Sequence, residues 1–354
     1  MEFIYEYGLF LAQAATLVAA ILIVVAGLLS LGHRQKAEQH EGHIEIRNLN
    51  DKYRQIGDSI EHMVTDPETF KAEKKAQKKA EKEEARAEKK RRKKADADSE
   101  EERRKRLYVL NFDGDLRASA TDNLREEISA VLPQIKEGDE MLVKVESPGG
   151  LVHGYGLAAS QLQRIRNAEV SLTIAVDKVA ASGGYMMACV ADRIIAAPFA
   201  VLGSIGVLAQ LPNFNRLLKK HDIDFELLTA GEYKRTLTMF GENTDKGREK
   251  FVEELEETHG LFKSFVSANR PSLDISRVAT GEVWYGQKAL EEGLIDELQT
   301  SDAYVQDKLA DWDVYEVKFV HKKNWQEKLG MAAESALEKS FMKIWQRSQE
   351  RNTY

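Results

Sequence analysis

Apolar residues appear first as one unbroken block and then as short runs separated by polar turns. Tyr7 to Gly32 is 26 residues without a charge, and Leu17 to Leu31 within it is almost entirely apolar. About 20 such residues, at 1.5 Å rise each, cross the hydrocarbon core of a bilayer. A cleaved signal peptide opens on basic residues and has a shorter apolar region. Here Glu2 and Glu6 come first, so the pattern predicts a retained transmembrane anchor over residues 1–32. Arg34 and Lys36 follow the span and no basic residue precedes it, which by the positive-inside rule leaves the bulk of the chain in the cytoplasm. Val179 to Gly206 is also apolar, but Asp192 and Arg193 interrupt it. It reads as buried core.

Residues 33–106 are polar, with weak helical pattern at first. From 71 to 106 they are rich in Lys, Glu, Ala and Arg, without Gly or Pro. Such a segment buries no core, and its alternating charges suit a solvated helix or a disordered connector. Residues 71–94 hold 13 basic side chains against 5 acidic ones. That is compatible with a plain spacer or with contact to anionic lipid. No aromatic residue lies between Phe70 and Tyr108, which argues against a nucleic-acid surface.

Beyond residue 106 the texture is that of a globular domain, expected over 107–320. Leu107–Phe112, Met141–Val145, Val170–Val176 and Phe225–Thr229 read as strands. Thr121–Ile135, the stretch ending at Arg166, Tyr185–Val190 and Asn243–Ala268 read as helices. Short apolar strands alternating with helices predict an α/β fold built from β-β-α or βα units. In Asn324–Gln349, apolar residues from Trp325 to Trp345 recur at spacings of three and four. This predicts an amphipathic C-terminal helix, within 321–354, that packs on its own domain, caps a neighbour or covers a groove.

Composition changes this picture little. A chain of 354 residues fits two domains, or one with long extensions. With 51 basic and 58 acidic side chains the net charge is −7, so the chain as a whole is no basic nucleic-acid binder. The single cysteine, Cys189, excludes an internal disulfide and a cysteine zinc cluster. No metal or organic cofactor is implied.

The candidate chemistry lies at two glycine pairs that follow strands, Gly149-Gly150 and Gly183-Gly184. Ser182 precedes the second, among small residues, where a helix begins. A serine there is either a helix cap or a nucleophile whose oxyanion meets free N–H groups. Ala180 replaces the first glycine of a G-x-S-x-G elbow. A serine nucleophile needs a base. None of His153, His221, His259 and His321 stands in a context that pairs it with Ser182. A lysine serves when burial lowers its pKa. Lys178 follows Asp177, which would hold it charged. Lys234, in the loop Ala230–Thr236, is either that base or a surface lysine beside Glu232.

The motifs S-P-G-G at 147–150, A-S-G-G-Y at 181–185, G-S-I-G-V at 203–207 and G-E-Y-K at 231–234 resemble, in order and spacing, those of the signal peptide peptidase A-like serine peptidases. Anchor, connector and single domain together look like the SohB-type membrane branch of that family. The resemblance implies a Clp/crotonase-like spiral of β-β-α units, preceded by a single transmembrane helix and the connector. It implies Ser182 as nucleophile, Lys234 as general base, the N–H groups of Gly150 and Gly183 as oxyanion hole and Ser204 as the hydroxyl that orients the lysine. It further implies a homo-oligomer with shared active sites, peptides or unfolded proteins as substrates, contact with membrane lipid through the anchor, and placement in the inner (cytoplasmic) membrane, although relatives of the signal peptide peptidase type work outside the cytoplasm. Glu146 stands where many relatives have Asn. A membrane scaffold without activity and a crotonase-like acyl-CoA enzyme are the competing readings.

Overall fold

The computed structural model describes residues 42–66 and 103–322, with Lys75, Lys79, Lys82, Glu83 and Arg86 between them. The expected anchor over 1–32 and the amphipathic helix over Asn324–Gln349 lie outside the described residues. No helix among the described residues is long and apolar enough to cross a membrane. The described residues fall into two units, one of 42–44 with 319–322 and one of those within Glu45–Lys318. In the first, Gly42 sits where a Cβ would fall on the Phe319 ring. The Phe319 and His321 rings meet edge to face at 5.1 Å.

The elements run β1 (Gly42–Asn48), α1 (Leu49–Val64), β2 (Arg106–Asp113), α2 (Thr121–Val131), β3 (Glu140–Glu146), α3 (Val152–Asn167), β4 (Ser171–Val176), β5 (Val179–Ala181) and α4 (Gly183–Ala188). They continue with β6 (Arg193–Ala196), β7 (Val201–Gly203), α5 (Asn215–Lys220), α6 (Asp245–Asn269), α7 (Ile275–Val278), β8 (Val283–Tyr285), α8 (Gly286–Glu291), β9 (Glu297–Leu298), α9 (Ser301–Leu309) and β10 (Asp313–His321). The fold is mixed α/β. Seven strands form one sheet in the order β1-β10-β2-β3-β4-β6-β9, and β5-β7-β8 form a smaller one. From β10 to β9 every neighbouring pair in the large sheet is parallel.

Parallel strands are covered on both faces and so read as continuous apolar runs rather than alternating ones. Leu107 to Leu110 is such a run, and all four residues are buried. Leu107 and Val109 face a cluster with Leu142, Ala175, Ile195, Val314, Leu49 from α1 and Tyr304 and Val305 from α9. On the opposite face Phe112 meets Tyr155 of α3 edge to face at 6.3 Å.

Two expectations need correction. The polar connector does not extend unbroken to residue 106. Within it, β1 joins the large sheet and α1 docks Leu49 in the core. The strand is hard to see in the sequence because its alternation, His43-Ile44-Glu45-Ile46-Arg47, is short and its side chains stay largely exposed at the edge of the sheet. Asn50 fixes the join. Its Nδ2 donates to the carbonyls of Leu309 (3.0 Å) and Trp312 (2.8 Å), and its Oδ1 accepts from the Val314 N–H (2.8 Å). Asn50→Ala takes the acceptor from the Val314 N–H, leaves the two carbonyls only their long contacts with Arg104, and is expected to cost about 1–3 kcal/mol in urea unfolding. The second correction concerns Phe225–Thr229, which forms no strand. It is exposed and unladdered, because a strand needs a neighbour for its backbone groups and none of the described strands runs beside it.

Candidate active site

Strand β5 carries the chain into the site. It pairs in parallel with β7. A bridge between Ser147 and Ala180 ties it to the end of β3, through Ser147 N–H to the Val179 carbonyl (2.8 Å) and Ala181 N–H to the Ser147 carbonyl (3.0 Å). At Ser182 the backbone turns sharply, with φ 51° and ψ −116°, a region costly for any residue but glycine. The Ser182 N–H donates to the Gly203 carbonyl at 2.7 Å, and its carbonyl accepts from Met186 N–H at 2.9 Å, opening α4. Ser182 does not cap that helix with its side chain, and its hydroxyl makes no hydrogen bond among the described residues. The capping explanation of Ser182 therefore fails.

The S-P-G-G turn packs directly on this corner. Gly149 has φ +90°, and a Cβ there would lie 2.7 Å from Ser182 Cβ and 2.8 Å from Gly183 N. Gly183 leaves room for the Tyr155 ring. Its N–H opens α4 and so has no acceptor within the helix. The Gly150 N–H likewise bonds no protein acceptor among the described residues. Ser147 and Tyr155, which sequence reasoning missed, brace the turn. The two hydroxyls lie 2.5 Å apart, Gly149 N–H donates to Ser147 Oγ at 3.1 Å, and Tyr155 OH donates to the Asp115 carbonyl at 2.7 Å. Ser147 was visible only as part of a turn. Nothing local marks Tyr155, whose role comes from α3 folding back over the turn.

Ser182, Gly150 and Gly183 share the wall of one cavity of about 470 Å³. Its remaining lining comes from three places: Val152, Gly156 and Ser160 on α3, Met186 on α4 with Gly206 and Val207, and Thr258, Leu261, Phe262 and Phe265 on α6. The spacings of four on α3, and of three and four on α6, put each set on one helical face. The cavity is thus a largely apolar slot between two helices with Ser182 on its wall.

Ser204 follows β7 with φ 52°, and its N–H donates to the Glu282 carbonyl at 2.6 Å. His259 of α6 holds the same turn through Nε2 and the Ile205 carbonyl, 3.3 Å apart. Lys234 is not in the cavity wall. It is exposed, in a turn whose N–H donates to the Gly231 carbonyl at 3.2 Å. Its neighbour Glu232 pairs instead with Lys246 at 2.5 Å, and that hydrogen bond holds the Glu232 carboxyl below its usual range. Lys234 itself has no ion-pair partner among the described residues. The cavity thus gathers Ser182, Gly150 and Gly183, and Lys234 is not among its lining residues.

Lys178 is held charged, first by Glu146 and more weakly by Asp113 and Asp177. Its Nζ lies 2.9 and 3.0 Å from the two carboxylate oxygens, which raise its pKa. Asp177 instead accepts from Ser301 N–H (2.8 Å) and Oγ (2.5 Å). Glu146, which precedes S-P-G-G, is thus occupied by an exposed ion pair. Cys189 is buried and its burial pushes the thiol pKa up, away from nucleophilic use. No group of His, Cys, Asp and Glu suited to a metal ion occurs among the described residues.

Residues 2–162 match the model of the peptidase family S49 N-terminal region, and residues 164–314 that of peptidase family S49. The probable protease SohB of Haemophilus influenzae is 51% identical over 330 residues, 93% of either chain. The probable protease SohB of Buchnera aphidicola subsp. Schlechtendalia chinensis is 48% identical over 308 residues, covering 86% of this chain and 99% of that one. Among solved structures, a variant of the 1510-N membrane-bound stomatin-specific protease aligns with 60% of this chain and 98% of its own, at 14% identity and a TM-score of 0.40. Two adjoining family models and near-full-length relatives at about half identity place the chain: it belongs to peptidase family S49, among the SohB proteases.

Proposed function

We propose that the chain is a membrane-anchored serine endopeptidase of the inner membrane, which cleaves peptides or unfolded polypeptides through an acyl-enzyme formed on Ser182, with Lys234 as its base. The observation that carries this reading is the strained Ser182 corner: its hydroxyl is unbonded, two unengaged N–H groups stand beside it, and an apolar slot opens next to it. A structural serine has no need of such a backbone. In the proposed reaction Lys234, neutral, takes the Ser182 proton as Oγ adds to the scissile carbonyl. The Gly150 and Gly183 N–H groups receive the oxyanion, and the lysine returns its proton to the leaving amine. Water then cleaves the acyl ester by the reverse sequence. Ser204 would orient the lysine. The succession β4–β5–α4, with one strand in each sheet before the helix, favours the β-β-α spiral of the Clp and crotonase type.

That Lys234 is exposed and outside the cavity lining supports a base supplied by a second copy of the chain. The segment before the Lys234 loop, residues 208–228 with α5, exposes Leu208, Leu211, Phe214, Leu217, Leu227 and Leu228, and exposed large apolar residues gathered in one segment suit a protein interface. A homo-oligomer would cover it and, by burying Lys234, favour the neutral amine a base requires. The test is complementation with the purified full-length chain on an unfolded protein substrate. Ser182→Ala and Lys234→Ala are each expected to be inactive. Dissociated, mixed and reassociated, they should regain activity at about a quarter of the sites by random assortment within a symmetric ring. No regain would exclude shared sites, and cleavage by Ser182→Ala would exclude the peptidase mechanism.

A further inference from the structure

Glycine is an unfavourable residue in a helix interior, because it orders more backbone than alanine and packs nothing. A colliding side chain or a positive φ is one reason to keep an interior glycine, and Gly57 of α1 and Gly260 of α6, neither of which lines the cavity, lack it as Gly156 does. Gly156 in α3 meets neither condition. A Cβ built on it finds no atom within 4 Å, and its φ is not positive. Gly154, two residues earlier, is the contrast, since its Cβ would lie 2.6 Å from the Arg117 carbonyl. The folded chain thus explains Gly154 by packing and gives no packing reason for Gly156.

What lies beside Gly156 is the slot. It lines the cavity on the same helical face as Val152, one turn before it, and Ser160, one turn after it. The Ser160 hydroxyl donates to the Gly156 carbonyl at 2.8 Å, which turns that polar group back onto the helix. The wall opposite carries the large residues Leu261, Phe262 and Phe265. The empty space over Gly156 is therefore cavity, bounded on its far side by bulky apolar groups.

We infer that Gly156 is the size selector of the slot: its missing side chain admits a large apolar substrate residue next to the scissile carbonyl. The inference rests on the proposed peptidase function and adds to it the residue that decides which side chain fits. A single methylene in an apolar pocket changes kcat/KM by about 10–200-fold. A leucine at 156 removes several methylenes' worth of space.

The experiment compares the full-length chain with Gly156→Ala and Gly156→Leu, using peptides that differ only in the residue before the cleaved bond, Ala, Leu or Phe. A fluorophosphonate counts the reactive Ser182 in each preparation. The ratio of kcat/KM for Phe over Ala should fall at least about 10-fold in Gly156→Leu, with a smaller fall in Gly156→Ala. Thermal unfolding of Gly156→Ala should not move downward, since the new methyl meets nothing. An unchanged Phe/Ala ratio in a variant whose Ser182 still labels overturns the inference alone. So does a fall shared equally by all three peptides. An unsubstituted chain that neither cleaves nor labels overturns the peptidase reading, and the inference with it.

Discussion

Ser182→Gly is expected to abolish proteolysis while raising thermal stability. Removing the nucleophile of an acyl-enzyme mechanism costs up to about 10⁶ in kcat, the residue of activity coming from binding and the oxyanion donors. At least about a 10⁴-fold loss is therefore expected. The stability change has the opposite sign because the wild-type residue sits at φ 51°, where a Cβ is strained and glycine is not. Relief of that strain is worth about 1 kcal/mol after the added freedom of the unfolded chain is subtracted. Ser182→Ala should be equally inactive without the gain, since it keeps the Cβ. Melting curves and proteolysis rates on the three purified proteins check both halves. A glycine variant that melts lower than the unsubstituted chain would show that the corner is not strained for catalysis. Retained cleavage would remove Ser182 from the mechanism.

Asp296→Asn is expected to destabilise the domain by about 3 kcal/mol, the low end for breaking a buried ion pair because part of the carboxylate faces solvent. Asp296 receives both guanidinium ends of Arg270, at 2.7 and 2.9 Å, and the Ile194 N–H at 2.7 Å. Arg270 is 8% exposed, so an unpaired charge there has little water to turn to. The pair fastens the C-terminal end of α6 to the end of β6, and α6 supplies one wall of the slot. For a domain of this size the loss corresponds to roughly 6–12 °C in Tm.

The pH dependence follows from the same contacts. Burial alone would raise the Asp296 pKa, but the Arg270 hydrogen bonds, the Ile194 N–H and the charges of Arg270 and Arg193 outweigh it and hold the carboxyl below its usual range. A carboxyl depressed in the folded state contributes stability that is complete above its unfolded pKa of about 3.9 and is lost as pH falls through the folded value. The gap between unsubstituted and Asp296→Asn melting curves should stay constant from about pH 7 to 5 and narrow only below about pH 4. A gap that narrows near neutrality would assign the stability to another group.

The α/β class and most elements of the core are legible in the amino-acid pattern. Leu107–Phe112, Met141–Val145 and Val170–Val176 each form a strand within a residue or so of the expected limits, and Asn243–Ala268 is helical as Asp245–Asn269. Such elements are legible because a buried parallel strand or an amphipathic helix writes its environment into consecutive residues. The positions of Ser182 and the two glycine turns were legible for a related reason, since tight turns admit few residue types. Family membership was legible in the joint order of four short motifs, none of which suffices alone.

Tertiary structure alone decided the rest. Edge strand β1 is hard to read because its short alternation leaves even Ile46 exposed, so burial writes little into its residues. Phe225–Thr229 has a strand's composition but no partner, and pairing is not a property of one segment. Tyr155 braces the S-P-G-G turn from a helix whose local pattern explains only its burial. The loss of Asp177 as the partner of Lys178 was equally invisible, because α9 arrives from 124 residues away to claim that carboxylate. Gly156 could be told from Gly154 only once the space around each was known. Hydrophobic periodicity is a local code for which face is buried, whereas hydrogen-bond partners and empty volume are set by segments distant in the chain.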